Sequence, residues 1–241
     1  MHPLEGYSSP YGHGHTGFNS GIATLLLRNV KLNLISIGFA QIVGLFFVLA
    51  AYAETPKIVV LGDSLVAGYQ LPPGEGFPEQ LQLALTARNI DVKIIGAGVS
   101  GDTTSGGLAR LDWSVPEDVD GVILELGAND AMRGLPFALA GKNLDTMIAR
   151  LKARKIAVFL AGMRAPPNMG EDYQKGFDAI YPALAKKHNV MLYPFFLDGV
   201  AANPALNLSD GIHPNKKGIA MMIERILPHV ERFIKGLKIR N

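Results

Sequence analysis

The sequence predicts a three-layer α/β/α sandwich, with about five parallel strands covered by helices on both faces. Three observations carry this. Short, nearly unbroken apolar runs recur along the chain, as in KIVVL at 57–61, GVILEL at 121–126 and IAVFL at 156–160. Helical periodicity follows between them. Two of the runs lead straight into glycine, Gly62 and Gly127. A strand buried on both faces reads as a continuous apolar run, and parallel strands need a long crossover, usually a helix.

Each element has its own signal. Lys57–Leu61 is the first strand, and Gly62 lets the chain turn sharply out of the sheet so that Ser64 opens the next helix. Phe77–Arg88 is a helix with Leu81, Ala84 and Leu85 on one face. Val92–Ile95 and Gly121–Leu126 are the second and third strands. Leu139–Arg154 is helical, with Leu144, Met147, Ile148 and Leu151 at i, i+3, i+4 and i+7. Ile156–Leu160 is the fourth strand. Asp172–Lys187 is helical but carries Pro182, which should kink or split it. Val190–Tyr193 is the fifth strand. Lys217–Lys235 closes the chain as a helix with Ala220, Ile223, Leu227, Val230 and Ile234 turned inward.

Composition narrows the function. The chain has 241 residues, 48% of them hydrophobic, which is ample for one packed core plus an extra segment. A formal net charge of +2, with Lys and Arg scattered, calls for no nucleic-acid partner. The absence of cysteine excludes disulfides, thiolate metal sites and a cysteine nucleophile. Residues 1–30 are rich in Gly, Ser, His and Tyr without a period, and read as a disordered or artefactual extension. Residues 31–53 are almost purely apolar, follow Arg28 and end Ala51-Tyr52-Ala53. A positive flank, an apolar stretch and an A-x-A ending describe a secretory signal peptide cleaved after Ala53. The alternative is an uncleaved anchor, since about 20 apolar residues just span a bilayer. The roughly thirty residues before the apolar stretch suggest a true start nearer Val30. The working domain is 54–241, and the protein is expected to be periplasmic or secreted.

Three fragments carry chemistry. Gly62-Asp63-Ser64 and Gly127-Ala128-Asn129-Asp130 both follow strands, so Ser64 and Asn129 reach the carboxyl edge of the sheet, where such folds bind ligands. Asp210-Gly211-Ile212-His213-Pro214 places an acid three residues before a histidine in a loop. That spacing lets the carboxylate reach Nδ1 and set the tautomer, leaving Nε2 to serve as general base for a serine. Asn129 offers a neutral donor for an oxyanion. The bland readings are an N-cap serine at 64, an Asx-turn at 129 and a capping aspartate at 210; Asp130 reads as a turn or cap residue. His188 follows two lysines and reads as solvated, and His229 falls inside a helix, which leaves His213 as the histidine with a nearby acid. Gly96-Ala97-Gly98-Val99-Ser100-Gly101 matches G-x-G-x-x-G, but it follows the second strand, and Asp102 to Gly107 make a poor helix start. No ribose-binding acid ends the next strand. A loop whose backbone approaches a ligand closely suits it better, with Gly101 as an oxyanion donor.

These blocks, Gly62-Asp63-Ser64, Ser100-Gly101-Asp102-Thr103, Gly127-Ala128-Asn129-Asp130 and Asp210-Gly211-Ile212-His213, resemble in order those of the SGNH, or GDSL-type, hydrolases. Within that family LGDSLVAGY at 61–69, LELGAND at 124–130 and DGIHPN at 210–215 are similar to the bacterial periplasmic thioesterase I, lysophospholipase and arylesterase group. The chain departs from it at Gly96, where asparagine is expected. The resemblance implies a flavodoxin-like fold, Ser64 as nucleophile, His213 as base and Asp210 orienting it. It implies an oxyanion hole of Ser64, Gly101 and Asn129, with no metal or cofactor. It also implies small acyl esters, thioesters or lysophospholipids as substrates and no stable protein partner. Met132, Leu135, Pro136 and Phe137 after the asparagine block, and Met163, Pro166 and Pro167 after the fourth strand, are the apolar candidates to line an acyl groove. A carbohydrate O-acetylesterase and a non-catalytic lipid- or glycan-binding module are the competing readings.

Overall fold

In the computed structural model, residues 54–237 are described. The apolar segment of residues 31–53 and the extension before it lie outside the described residues. No helix among the described residues is long and apolar enough to cross a membrane.

Five strands form one sheet: β1 Lys57–Gly62, β2 Lys93–Gly98, β3 Gly121–Glu125, β4 Ala157–Ala161 and β5 Met191–Tyr193. Their order is β2-β1-β3-β4-β5, and every pairing is parallel. Ile58 to Leu61, Val122 to Leu124 and Phe159 to Leu160 are fully buried, which is why these runs show no polar alternation. Each such side chain contributes roughly 1.5–3 kcal/mol by leaving water. On one face, helices Phe77–Ala87 and Lys216–Lys235 pack together; on the other, Phe137–Ala153 packs with Thr104–Ala109 and Ile180–His188. The chain runs from β1 outward to β2, then crosses back to β3 on the other side of β1. The β1/β3 boundary is therefore the topological switch point, where loops diverge and leave a crevice.

Several local expectations needed adjustment. The predicted helix 172–187 is two helices, Glu171–Asp178 and Ile180–His188. The break falls at the carbonyl four residues before Pro182, which the proline ring excludes. β2 runs on through Gly98, so two glycines of the G-x-G-x-x-G match are strand residues. A Cβ on Gly98 would come within 2.7 Å of the Val66 backbone, so this glycine serves close packing of the helix that begins at Ser64. Gly62 also acts by size, because its φ is not left-handed and a Cβ would lie 2.5 Å from Glu125 Oε2. In the closing helix the buried stripe includes Ile219, Met222, Ile226 and Phe233 beside the expected Ile223, Leu227 and Val230. Ala220 is exposed, because a stripe drawn through Ile219 buries more apolar surface.

Candidate active site

The site is built on the carboxyl edge at the switch point. Helix Ser64–Ala67 starts directly after β1, capped by Asp63, whose Oδ1 accepts from the Leu65 N–H (3.0 Å). The cap is thus Asp63, and the Ser64 hydroxyl stays free of capping. As the first helical residue, Ser64 keeps a backbone N–H without an intrahelical acceptor.

Ser64 Oγ lies 2.9 Å from His213 Nε2, across 149 residues of sequence. His213 Nδ1 lies 2.7 Å from Asp210 Oδ2. Asp210 Oδ1 accepts from the backbone N–H of Ile212 (2.9 Å) and of His213 (3.0 Å). Burial pushes the Asp210 carboxyl up, but these two N–H groups and the imidazole outweigh it and hold it at about 2. An ionised carboxylate only accepts, so Nδ1 carries the proton and Nε2 faces the serine as an acceptor. Tyr69 lies against the imidazole, with ring centroids 4.4 Å apart.

The oxyanion candidates come from three segments tied together. Asn129, on the short helix Ala128–Met132 after β3, is 8% exposed. Its Nδ2 donates to Asp63 Oδ2 (3.0 Å) and to the Asp102 carbonyl (3.0 Å). Gly101 sits in the turn after β2 with φ +81°, a value a side chain would disfavour. Arg110 clamps this turn to the strand ends: its Nε donates to Asp102 Oδ2 (2.6 Å), Nη1 to the Ala97 carbonyl (3.0 Å) and Nη2 to the Gly62 carbonyl (2.8 Å). Contrary to expectation, a helix does open here, at Thr104–Ala109. Thr103 caps it, and the buried Asp130 carboxylate accepts from Thr104 N–H (2.7 Å) and Oγ1 (2.6 Å). Asp130 is structural, as its position suggested.

Beside Ser64 and His213 opens a cleft of about 400 Å³. Its walls are mostly apolar and include Met132, Met163, Pro166, Pro167, Phe195 and Ile212. Leu135 and Pro136, expected in the groove, are not among its lining residues. Gly134 (φ +62°) turns the chain away, Leu135 N–H bonds back to the Asp130 carbonyl (2.9 Å), and Pro136 caps helix Phe137–Ala153. Phe137 packs edge-on against Tyr173 instead. Arg164 also lines the cleft, its guanidinium 4.9 Å from the Phe195 ring centroid. His188, read as solvated, has Nε2 2.6 Å from Asp145 Oδ1 and a side chain only 13% exposed, a pairing that sequence distance hid. Among the described residues, no group of three or more His, Asp or Glu side chains is placed to hold a metal ion.

Sequence reasoning missed Asp63, Tyr69, Arg110 and Glu125 as parts of this site. Only Asp63 carried a signal, a carboxylate immediately before the serine in a strand-to-helix turn. Glu125 is fully buried; its Oε2 accepts from Asp63 N–H (3.3 Å), and burial, then the Asp63 charge, drive its carboxyl well above the usual range.

Residues 60–221 match the GDSL-like lipase/acylhydrolase family. An arylesterase of Vibrio mimicus is 44% identical over 172 residues, covering 70% of this chain and 86% of that protein. The Escherichia coli K12 thioesterase 1/protease 1/lysophospholipase L1 is 36% identical over 175 residues, covering 71% and 83%. The crystal structure of AlinE4, an SGNH-hydrolase family esterase, is 44% identical and superposes with a TM-score of 0.63 over 76% of this chain and 98% of that one. A serine, an imidazole and a carboxylate in hydrogen-bonded series on a parallel sheet thus agree with sequence and fold, and the chain belongs to the GDSL-like lipase/acylhydrolase family of ester hydrolases.

Proposed function

We propose that the protein hydrolyses acyl esters and thioesters through an acyl-enzyme on Ser64, with substrates whose apolar chain fills the cleft beside it. The observation that carries this is the series Ser64 Oγ, His213 Nε2, His213 Nδ1, Asp210 Oδ2, at 2.9 and 2.7 Å, opening on that apolar cleft. Ser64 Oγ attacks the carbonyl carbon while its proton passes to His213 Nε2. Asp210 stabilises the imidazolium. Asn129 Nδ2 and the N–H groups of Ser64 and Gly101 receive the oxyanion. Collapse expels the alcohol or thiol, which takes the proton from Nε2. Water then attacks the acyl-enzyme, giving a proton to Nε2, and the carboxylic acid leaves as Oγ is reprotonated. Met132, Met163 and Pro166 support the acyl chain.

Hydrolysis of a p-nitrophenyl ester series from acetyl to palmitoyl by residues 54–241 tests this reading. Rates should rise from acetyl to medium chains, because each buried methylene adds about 0.8 kcal/mol. Activity on acetyl alone would point to a carbohydrate deacetylase. Lysophospholipids and acyl thioesters are the natural substrates that an apolar cleft with one cationic side chain, Arg164, would accept.

We also propose export, on the positive flank, apolar run and A-x-A ending before Glu54. Amino-terminal sequencing of protein recovered outside the cytoplasm should begin at Glu54. A start within residues 1–53 would mean that no cleavage occurs after Ala53.

A further inference from the structure

We propose that Asp63 is a positioning residue for the oxyanion donor. It holds one N–H of Asn129 Nδ2, so that the other, now resting on the Asp102 carbonyl, is the one that turns to the substrate oxyanion. This rests on the serine reading above.

An amide nitrogen has two protons, and Asn129 has spent both, at 3.0 Å each. While both contacts persist, Asn129 has nothing to offer an oxyanion. The two contacts are not equal. A carboxylate acceptor makes a charge-assisted bond roughly twice as strong as a neutral one. The carbonyl contact therefore yields first, and the Asp63 contact acts as the pivot. Asp63 is itself fixed. It is 1% exposed, Oδ1 accepts from Leu65 N–H in the helix that Ser64 opens, and its own N–H donates to Glu125 Oε2. One carboxylate thus sets both the nucleophile's helix and the oxyanion amide.

The role requires Asp63 to be ionised, and its surroundings arrange this narrowly. Burial pushes its carboxyl up to about 6, against the Leu65 N–H, the Asn129 amide and the field of His213. Asp102, itself paired with Arg110, pushes it further up. Glu125, facing it from β3, is likewise driven up, by burial and then by the Asp63 charge. Protonation of Asp63 at acid pH therefore weakens the pivot, and the acid limb of kcat carries this group.

The test is Asp63→Asn in the wild-type and Asn129→Ala backgrounds, read as kcat and KM on the best p-nitrophenyl ester, with thermal unfolding alongside. Asparagine still caps Leu65 N–H, but it turns an N–H₂ toward Asn129 Nδ2. Asn129→Ala alone should lower kcat by ~10²–10³. In the wild-type background Asp63→Asn should lower kcat by ~10–100-fold with KM within about twofold, and in Asn129→Ala by less than about threefold, because nothing remains to aim. Equal factors in both backgrounds, an unchanged kcat, or a change confined to KM would overturn the proposal. If Asp63→Asn does not fold, the kcat–pH profiles of wild type and Asn129→Ala decide. The wild type should show an additional group near pH 6 that the variant lacks, and identical acid limbs would refute the role. An unchanged kcat in Asn129→Ala would remove both the oxyanion assignment and this proposal, whereas the Ser64 assignment is tested independently by Ser64→Ala.

Discussion

Replacing Ser64 by alanine is expected to lower kcat by roughly 10⁴–10⁶ while leaving the domain folded. The hydroxyl's recorded partner is His213 Nε2 at 2.9 Å, so its removal deletes one hydrogen bond in a small, nearly buried side chain. The stability change should stay within about 1 kcal/mol. The asymmetry between a large kinetic and a small thermodynamic effect is the signature of a nucleophile. Thermal unfolding and ester hydrolysis, measured together with labelling by a fluorophosphonate, check it. Turnover near the wild-type rate, or labelling that survives the substitution, would place the nucleophile elsewhere. Both outcomes are readable because the substitution leaves Asp63 capping the helix through Leu65 N–H.

Asp210→Asn should cost about 10⁴ in kcat with the site geometry preserved. The amide oxygen can keep the contacts from Ile212 and His213 N–H, but it then presents an N–H₂ group to Nδ1. The imidazole must accept there, so its proton moves to Nε2, where it faces Ser64 and cannot receive the hydroxyl proton. Sign and range follow for the wild type. Asp210 has a folded value near 2, below the 3.8 of a free carboxyl. Its stabilising contribution is therefore present above about pH 4 and is lost as pH falls through 2. Loss of activity between pH 7 and 5 must then come from other groups. A variant that keeps wild-type kcat would show that Asp210 neither sets the tautomer nor stabilises the imidazolium.

The competing reading as a non-catalytic binding module loses its ground with membership of a hydrolase family. The short-chain deacetylase reading is a question of cleft shape. The cleft beside Ser64 is walled by Met132, Met163, Pro166, Phe195 and Ile212, and the p-nitrophenyl ester series distinguishes the two readings.

What could be read along the chain is whatever depends on neighbours in sequence. The central strands β1, β3 and β4 announced themselves because a parallel strand buried on both faces leaves no room for polar alternation, and Ile58 to Leu61 is an example. The split at Pro182 follows from one ring and one carbonyl. The Asp210–His213 contact needs only a turn of three residues. Ser64 and Asn129 reach one edge because both follow parallel strands, and β1 and β3 are adjacent.

Folding in space settled the remainder, because it concerns partners far apart in the chain. Ser64 meets His213 over 149 residues, and Asp63 meets Asn129 over 66. The helix at Thr104 forms against weak local propensity because Asp130 supplies two buried acceptors. Leu135 and Pro136 leave the cleft because Gly134 turns the backbone and Asp130 holds it there. Burial itself pushes the carboxyls of Asp63 and Glu125 up, since desolvation depends on everything packed around a carboxyl and not on its sequence neighbours. Residue types and local geometry therefore declared which chemistry the chain carries, and the tertiary fold decided which groups meet, bringing Ser64 to His213 and Asn129 to Asp63.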